Sequence, residues 1–198
     1  MVVGDDPDSI AGKRALRAAI RETRRTREPD PSDAERIADH VMDLEMVRHA
    51  CSAGLPVACF VSRAEEPPTT ELRSRLISEG ALLVAPRIQD ENLVWVHVTA
   101  ETTWDVNRWK IEEPLGPKFD GSPAVWIIPA LAIDADGYRL GQGGGYYDRA
   151  LDHVDADTPI IAIVFEQEVI PEVPREEHDH PVDIVVTPDR VRWLSMPD

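Results

Sequence analysis

The run RLGQGGGYYDR, Arg139 to Arg149, places four glycines, two tyrosines, an aspartate and two arginines within eleven residues. Glycines in such density let a backbone approach an anion closely. Successive amides and a helix start would add donors and partial positive charge. The chemistry that suits this composition is phosphate binding. Asp148, just past the glycines, offers a hard oxygen ligand for a magnesium ion bridging phosphates, and Arg139 and Arg149 can neutralise charge. The run is not the dinucleotide fingerprint, because Tyr146 stands where the last glycine belongs, and it is not a Walker loop, because no Gly-Lys-Ser/Thr follows. A flexible turn with Asp148 and Arg149 as an ion pair is the alternative that composition leaves open.

A second concentration of reactive types lies near the start. Seven of the 21 basic residues fall between Lys13 and Arg27. The stretch DSIAGKRALRAAIRETRRTRE predicts a helix, with Ser9 available as its cap and Ile10, Leu16, Ala19 and Ile20 forming an apolar stripe. Lys13, Arg17, Arg21 and Arg24 recur along it, and the default for such a run is a solvated face. Further on, His178 and Asp179 in EEHDHP suggest a metal or acid/base role against the alternative of a loop cap, which is also the reading for His180. Cys51 and Cys59 lack metal-ligand spacing and are expected as reduced, buried thiols.

These residues need a scaffold, and the chain supplies one. With 198 residues, 42% hydrophobic and 29% charged, it has the proportions of a globular protein and the length of one domain. The helix at the start is followed by a helix over 30–47, a strand over 54–62, a helix over 69–80 and strands over 81–88 and 92–98. A Pro-bearing loop at 109–123 leads to a strand over 124–133. The glycine loop then enters a helix at 146–154, and strands at 159–166 and 182–187 close the chain. Strands apolar throughout, alternating with helices, predict a mainly parallel sheet covered on both faces. The glycine loop falls at the carboxyl end of a strand, where open α/β sheets bind ligands. A net charge of −16 argues against nucleic acid and anionic membrane as partners. No segment has the apolar length of a membrane span and the first residues lack a signal-peptide pattern, so a cytoplasmic location is expected.

Taken together, these stretches resemble the 5-formyltetrahydrofolate cyclo-ligase (methenyltetrahydrofolate synthetase) family. IIPALAIDADGYRLGQGGGYYDR is similar to its signature, KRALR to a Lys-x-x-Leu-Arg on the first helix, and FVSRAEEPPT to a strand end followed by Glu-x-x-Thr. WKIEEP is similar to an aromatic loop and FEQEVIPEVPREEHDHPVDIVVT to the closing pattern. The resemblance implies a three-layer, Rossmann-like α/β fold, similar to that of sugar-phosphate isomerases and CoA-transferases. It also implies a monomeric ligase that uses ATP and magnesium to close 5-formyltetrahydrofolate to 5,10-methenyltetrahydrofolate. A folate- or nucleotide-binding protein that sequesters 5-formyltetrahydrofolate without turnover is the main alternative; a sugar-phosphate-binding protein is a third.

The same resemblance assigns roles. Lys13 and Arg17 would reach ATP phosphates from the first helix. Arg139, Leu140, Gly141, Gln142, Gly143, Gly144, Gly145, Tyr146 and Tyr147 would form the rest of the ATP site. Arg139, Tyr146 and Arg149 would act in catalysis. Val61, Glu66, Trp109, Ile111, Pro114 and Tyr146 would hold the folate, with Glu66 accepting hydrogen bonds from the pterin's donor edge. Asp148, with Asp179, would hold magnesium. Asp134 and Gln167 are assigned supporting roles, and Arg21, Arg24 and Arg25 are expected to stay solvated. The chain departs from the family's pattern at Gln142 and Gly144, where a basic residue is usual in the glycine run, and at Ile133, where phenylalanine is usual.

Overall fold

The computed structural model describes residues 7–176 and 179–194. The chain opens with α1 (Pro7–Thr26), α2 (Asp33–Met42) and α3 (Glu45–Ala53), enters the sheet at β1 (Pro56–Cys59) and passes through α4 (Thr70–Ser78) to β2 (Leu82–Gln89) and β3 (Asn92–His97). A ribbon of β4 (Trp104–Val106) and β5 (Glu112–Pro114) follows, then the edge strand β6 (Lys118–Phe119) and the central β7 (Val125–Pro129). A small hairpin, β8 (Ala132–Ile133) and β9 (Arg139–Leu140), leads to α5 (Tyr146–Leu151). The last elements are β10 (Ile160–Ile163), a 3-10 turn at Glu166–Glu168, β11 (Ile184–Val186) and β12 (Val191–Trp193).

Eight strands form one sheet in the order β12-β11-β10-β7-β1-β2-β3-β6. The five from β11 to β2 run parallel, and antiparallel strands flank them at both edges. Of these, β1, β7, β10 and β11 are apolar throughout and β2 is apolar as far as Pro86, because both faces are covered there. Val57, Cys59, Ile127, Ile161 and Ile163 pack in one core with Ile37, Val47 and Leu72 of α2, α3 and α4. Their neighbours Ala58, Trp126, Ile128 and Ala162 turn to the opposite face and meet Leu151 of α5. This gives the three layers expected from the alternation of elements. The crossover from β1 to β2 proceeds in one direction along the sheet and that from β7 to β10 in the other. The carboxyl ends of β1 and β7 therefore flank the switch point where such sheets form a ligand crevice.

Three expectations need correction. The helix expected over 30–47 is two helices, because buried Leu44 takes an extended conformation (φ −69°, ψ 131°) between them, with no glycine or proline to signal the break. The strand expected over 124–133 ends at Pro129; the chain then leaves the sheet, and the Leu131 amide donates to the Leu140 carbonyl at 2.7 Å as the β8–β9 hairpin forms. The loop expected at 109–123 contains β5 and β6.

Helix α1 lies over that hairpin. Its Ile20 packs with Leu131, Ala132, Leu140 and Val173, at the carboxyl ends of the central strands. Thus the basic island of the sequence is brought to the crevice. Among the described residues no helix is long and apolar enough to cross a membrane.

Candidate active site

The loop leaving β1 carries Glu66 and is fixed at both ends of its turn. Thr69, fully buried, donates its hydroxyl to the Phe60 carbonyl at 3.0 Å, accepts the Ser62 amide at 3.2 Å and donates its own amide to the Ser62 hydroxyl at 3.1 Å. Within this staple the Glu66 carboxylate, only 8% exposed, accepts the Arg63 amide on Oε2 at 3.0 Å. Glu65 points to solvent, so Glu66 is the inward carboxylate of the pair. An ionised carboxylate has more acceptor sites than these contacts use.

The glycine loop approaches Glu66 from the other side of the crevice. Asp134, buried, organises the hairpin that launches it: Oδ1 accepts the amides of Asp136 and Tyr138 at 3.0 and 2.9 Å, and Oδ2 accepts that of Val173 at 3.2 Å. The loop is then clamped by α1. Arg17 Nε donates to the Gly141 carbonyl at 2.9 Å, and Arg21 donates to the Gln142 carbonyl and to its side-chain oxygen, both at 2.9 Å. Gln142 passes a 3.3 Å hydrogen bond from Nε2 to Glu66 Oε1. Among the described residues, none accepts a hydrogen bond from the amides of Gly143, Gly144 or Gly145, which leaves three donors for a ligand. The helix that follows, α5, has six residues, so these loop amides rather than a helix terminus supply the donors.

Charge is ordered along this end of the site. Buried Arg139 pairs with Asp148 and donates to the His180 carbonyl at 2.9 Å. Burial lowers its pKa, while the nearby Asp148 and Asp179 carboxylates favour its charge. Tyr147 has its pKa raised well above the ordinary phenol value, chiefly by burial and then by Cys59 and Glu66, so its hydroxyl stays protonated as a donor.

Trp109, Ile111 and Tyr146 complete the wall. Trp109 meets the Tyr146 ring edge-on, with centroids 6.4 Å apart. The tip that carries it is held by Asn107, whose Oδ1 accepts the amides of Trp109 and Ile111 at 2.9 and 3.1 Å. Asn107 is tied in turn through Glu113 to the Ile88 amide of β2 at 3.0 Å. The cavity, open to solvent on one side, measures about 360 Å³, within the range of small-molecule sites. Val61, Glu66, Trp109, Ile111, Arg139, the run Gly141–Gly145, Tyr146, Tyr147 and Asp148 all line it.

Other expected site residues sit elsewhere. Leu140 is fully buried in the α1 core, so its side chain packs rather than faces the cavity. Pro114 is buried in the ribbon opposite Trp104 and supports the wall from behind. Arg149 is exposed, donates to the Glu91 carbonyl and lines a separate cleft of about 650 Å³. Lys13, buried, bonds Asp179 at 2.8 Å and Glu176 at 3.1 Å. Asp179 Oδ2 also accepts the Glu176 amide at 2.8 Å, and Asp179, unlike Asp148, does not line the cavity. Among the described residues no three His, Cys, Asp or Glu side chains cluster as a closed metal site. A magnesium ion needs only one or two carboxylates beside water and phosphate oxygens, and Asp148 at the cavity wall fits that requirement.

The cations of α1 differ from expectation. Arg24 is buried, not solvated: it donates to Glu168 through two nitrogens at 2.6 and 2.8 Å and to the Ala130 carbonyl at 2.7 Å. Arg21, though exposed, lines the cavity; Arg25 stays exposed and pairs only with Glu22 among the described residues. The signal was present, since Lys13, Arg17, Ile20 and Arg24 share one face at spacings of four, three and four, so the apolar stripe and the basic row are one surface. Asn107, Glu113 and Glu168 were missed, and no local pattern distinguishes them. His178 and the Ile10 side chain lie outside the described residues, whereas His180 contacts Asp152 at 2.9 Å. Cys51 and Cys59 are buried and free, and burial pushes the Cys59 thiol up to about 12.

Comparison with known proteins places this geometry. The profile of the 5-formyltetrahydrofolate cyclo-ligase family matches residues 9–188. The 5-formyltetrahydrofolate cyclo-ligase of Escherichia coli K12 is 33% identical over 143 residues, covering 68% of this chain and 79% of that protein. That of Mycolicibacterium smegmatis is 31% identical over 150 residues, covering 70% and 76%. The NMR structure of Aquifex aeolicus 5,10-methenyltetrahydrofolate synthetase superposes with a TM-score of 0.80 at 25% identity, over 94% of each chain. The glycine loop, the Glu-x-x-Thr staple and the crevice between them all fall inside the matched span, and the chain belongs to the 5-formyltetrahydrofolate cyclo-ligase family.

Proposed function

We propose that this protein converts 5-formyltetrahydrofolate and ATP to 5,10-methenyltetrahydrofolate, ADP and phosphate. The observation that carries the reading is one cavity lined by two chemically distinct sets of residues: Glu66 with the apolar side chains Val61 and Ile111, and a glycine loop with Arg139 and Asp148. The first set suits a flat heterocycle with N–H donors. The second suits phosphate.

The reaction needs this juxtaposition. A formamide oxygen leaves poorly, so the γ-phosphoryl group is transferred to it: an O–P bond forms as the bond to ADP breaks. The second folate nitrogen then attacks the formyl carbon and gives up its proton, and the oxygen departs with phosphate. Such chemistry asks a protein chiefly for positioning and charge stabilisation. Glu66 accepts the ring's donors and orients the formyl group toward the glycine loop. Val61, Ile111, Trp109 and Tyr146 enclose the ring and keep water from the activated carbon. Arg17, Arg21 and the amides of Gly143, Gly144 and Gly145 take phosphate oxygens, with Lys13 nearby on the same helix face. Arg139 faces the charge of the transferring group. Tyr147, kept protonated, donates a hydrogen bond to an oxygen in the cavity. A magnesium ion held by Asp148 would neutralise the triphosphate and so ease attack on it.

The test is the absorbance of the methenyl product when protein meets 5-formyltetrahydrofolate, with ATP and magnesium present and with each omitted. Product requiring all components supports the reading. Tight binding of either ligand with no product would instead indicate a sequestering protein.

A further inference from the structure

A deeply buried charge cluster joins Arg24 and Glu168, behind the cavity wall, to the back of Glu66. The Arg24 side chain is 3% exposed, Glu168 is 3% exposed, and Arg24 Nη1 lies 4.0 Å from Glu66 Oε1. The fork of the guanidinium is divided among three acceptors: Nε and Nη2 hold both oxygens of Glu168, Nη2 also holds the Ala130 carbonyl, and Nη1 faces Glu66. Glu66 and Ala130 both line the cavity, from the loop after β1 and the chain after β7; Arg24 itself does not line it. One buried cation therefore stands behind two acceptors on opposite sides of the switch point.

We propose that Arg24 is a positioning residue for folate recognition, holding the Glu66 carboxylate and the Ala130 carbonyl in the arrangement that accepts the ring's donors. The inference rests on the reading of Glu66 as the partner of that ring. Glu168 is spent on the cluster: its Oε1 takes Arg24, and its Oε2 takes both Arg24 and the Phe165 amide at 2.9 Å. Glu66 is not, since its protein contacts are the Arg63 amide, the 3.3 Å bond from Gln142 and the 4.0 Å approach of Arg24. Two carboxylates share one guanidinium, so the cluster presents a net negative charge, and the uncommitted part of it faces the cavity through Glu66. Lysine cannot reproduce this, because a point charge on a flexible stem has no fixed fork to span three acceptors.

A residue that merely joins α1 to the 3-10 turn would behave differently, and two variants separate the cases. Arg24→Lys keeps the counter-charge for Glu168. It should weaken 5-formyltetrahydrofolate binding, read by tryptophan fluorescence without ATP, by about tenfold, while kcat and the KM for ATP stay within about twofold. The double variant Arg24→Met/Glu168→Met replaces the buried pair with apolar side chains, a change that often preserves stability. It should recover the wild-type Tm and still bind folate about tenfold more weakly. Normal folate affinity in either variant would overturn the proposal, as would an Arg24→Lys enzyme whose kcat and ATP KM deteriorate as much as its folate affinity. Glu66→Gln serves as reference: normal folate affinity there would remove the assignment of Glu66 and this proposal with it. A wild-type protein that binds folate through Glu66 yet forms no product would overturn the proposed reaction alone.

Discussion

At the scale of single residues, the site separates into groups that bind and groups that act on charge. Asp148 belongs to the second kind. It sits at the cavity wall, its partner is Arg139, and in the proposed reaction it is the carboxylate that meets the metal-bound triphosphate. Asparagine has the same shape and can still accept from Arg139, but it has no charge for a cation. Asp148→Asn should lower ATP-dependent turnover by about 10²-fold or more. Its effect on 5-formyltetrahydrofolate binding should be within about twofold, because the acceptor proposed for the ring is Glu66, on a different loop. Product absorbance and a folate fluorescence titration on the same preparation check this. Equal loss in both would move Asp148 into the folate site.

At the scale of elements, the glycine loop is shaped by its contacts with α1. Gly143 has φ +95°, and a Cβ there would come within 3.4 Å of the Arg17 guanidinium carbon. Alanine would strain the backbone by about 1 kcal/mol and set its methyl in contact with the clamp. Gly143→Ala should therefore raise the KM for ATP by about tenfold and leave folate binding near wild type, as measured by steady-state kinetics and by titration without ATP. An unchanged KM for ATP would show that the loop reorganises on binding and that its resting conformation is unimportant. The glycine loop was legible as a local cluster, whereas Glu66 and the aromatic tip were pointed to by the family resemblance of FVSRAEEPPT and WKIEEP; all three line the cavity. The inward turn of Arg24 was harder to read. Its partners Glu168 and Ala130 lie 144 and 106 positions away, and only the tertiary fold brings them to α1. The pairing of Asp179 was equally hard to read, since Lys13, 166 positions earlier, reaches it across the molecule.

At the scale of the whole molecule, the parallel core was legible because burial on both faces imposes apolar runs, whereas the edges were not. Strands β6 and β12 are two and three residues long, too short to carry a period, and their existence depends on the neighbour each pairs with. Besides its ladder to β11, β12 has a side-chain tie to a charge cluster just past the carboxyl end of β10. Glu166 bonds Arg192 at 2.6 Å and the Thr187 hydroxyl at 2.9 Å, and it also pairs with Arg190. These contacts, led by the hydrogen bond from Arg190, lower its pKa from 4.5 to about 2. A carboxylate depressed in this way adds stability above its unfolded pKa and loses it as pH falls through the folded value. The tie is therefore complete at neutral pH and dissolves between about pH 4.5 and about pH 2. Because the arginines are partly exposed, solvent screening limits its contribution to about 1 kcal/mol. Glu166→Gln should accordingly lower Tm by roughly 2–4 °C at pH 7. Measured across pH, the gap between wild type and variant should narrow steadily below about pH 4.5. A gap that persists unchanged into acid would mean that the charge of Glu166 does not hold the last strand, and that the Thr187 hydrogen bond and packing hold it instead.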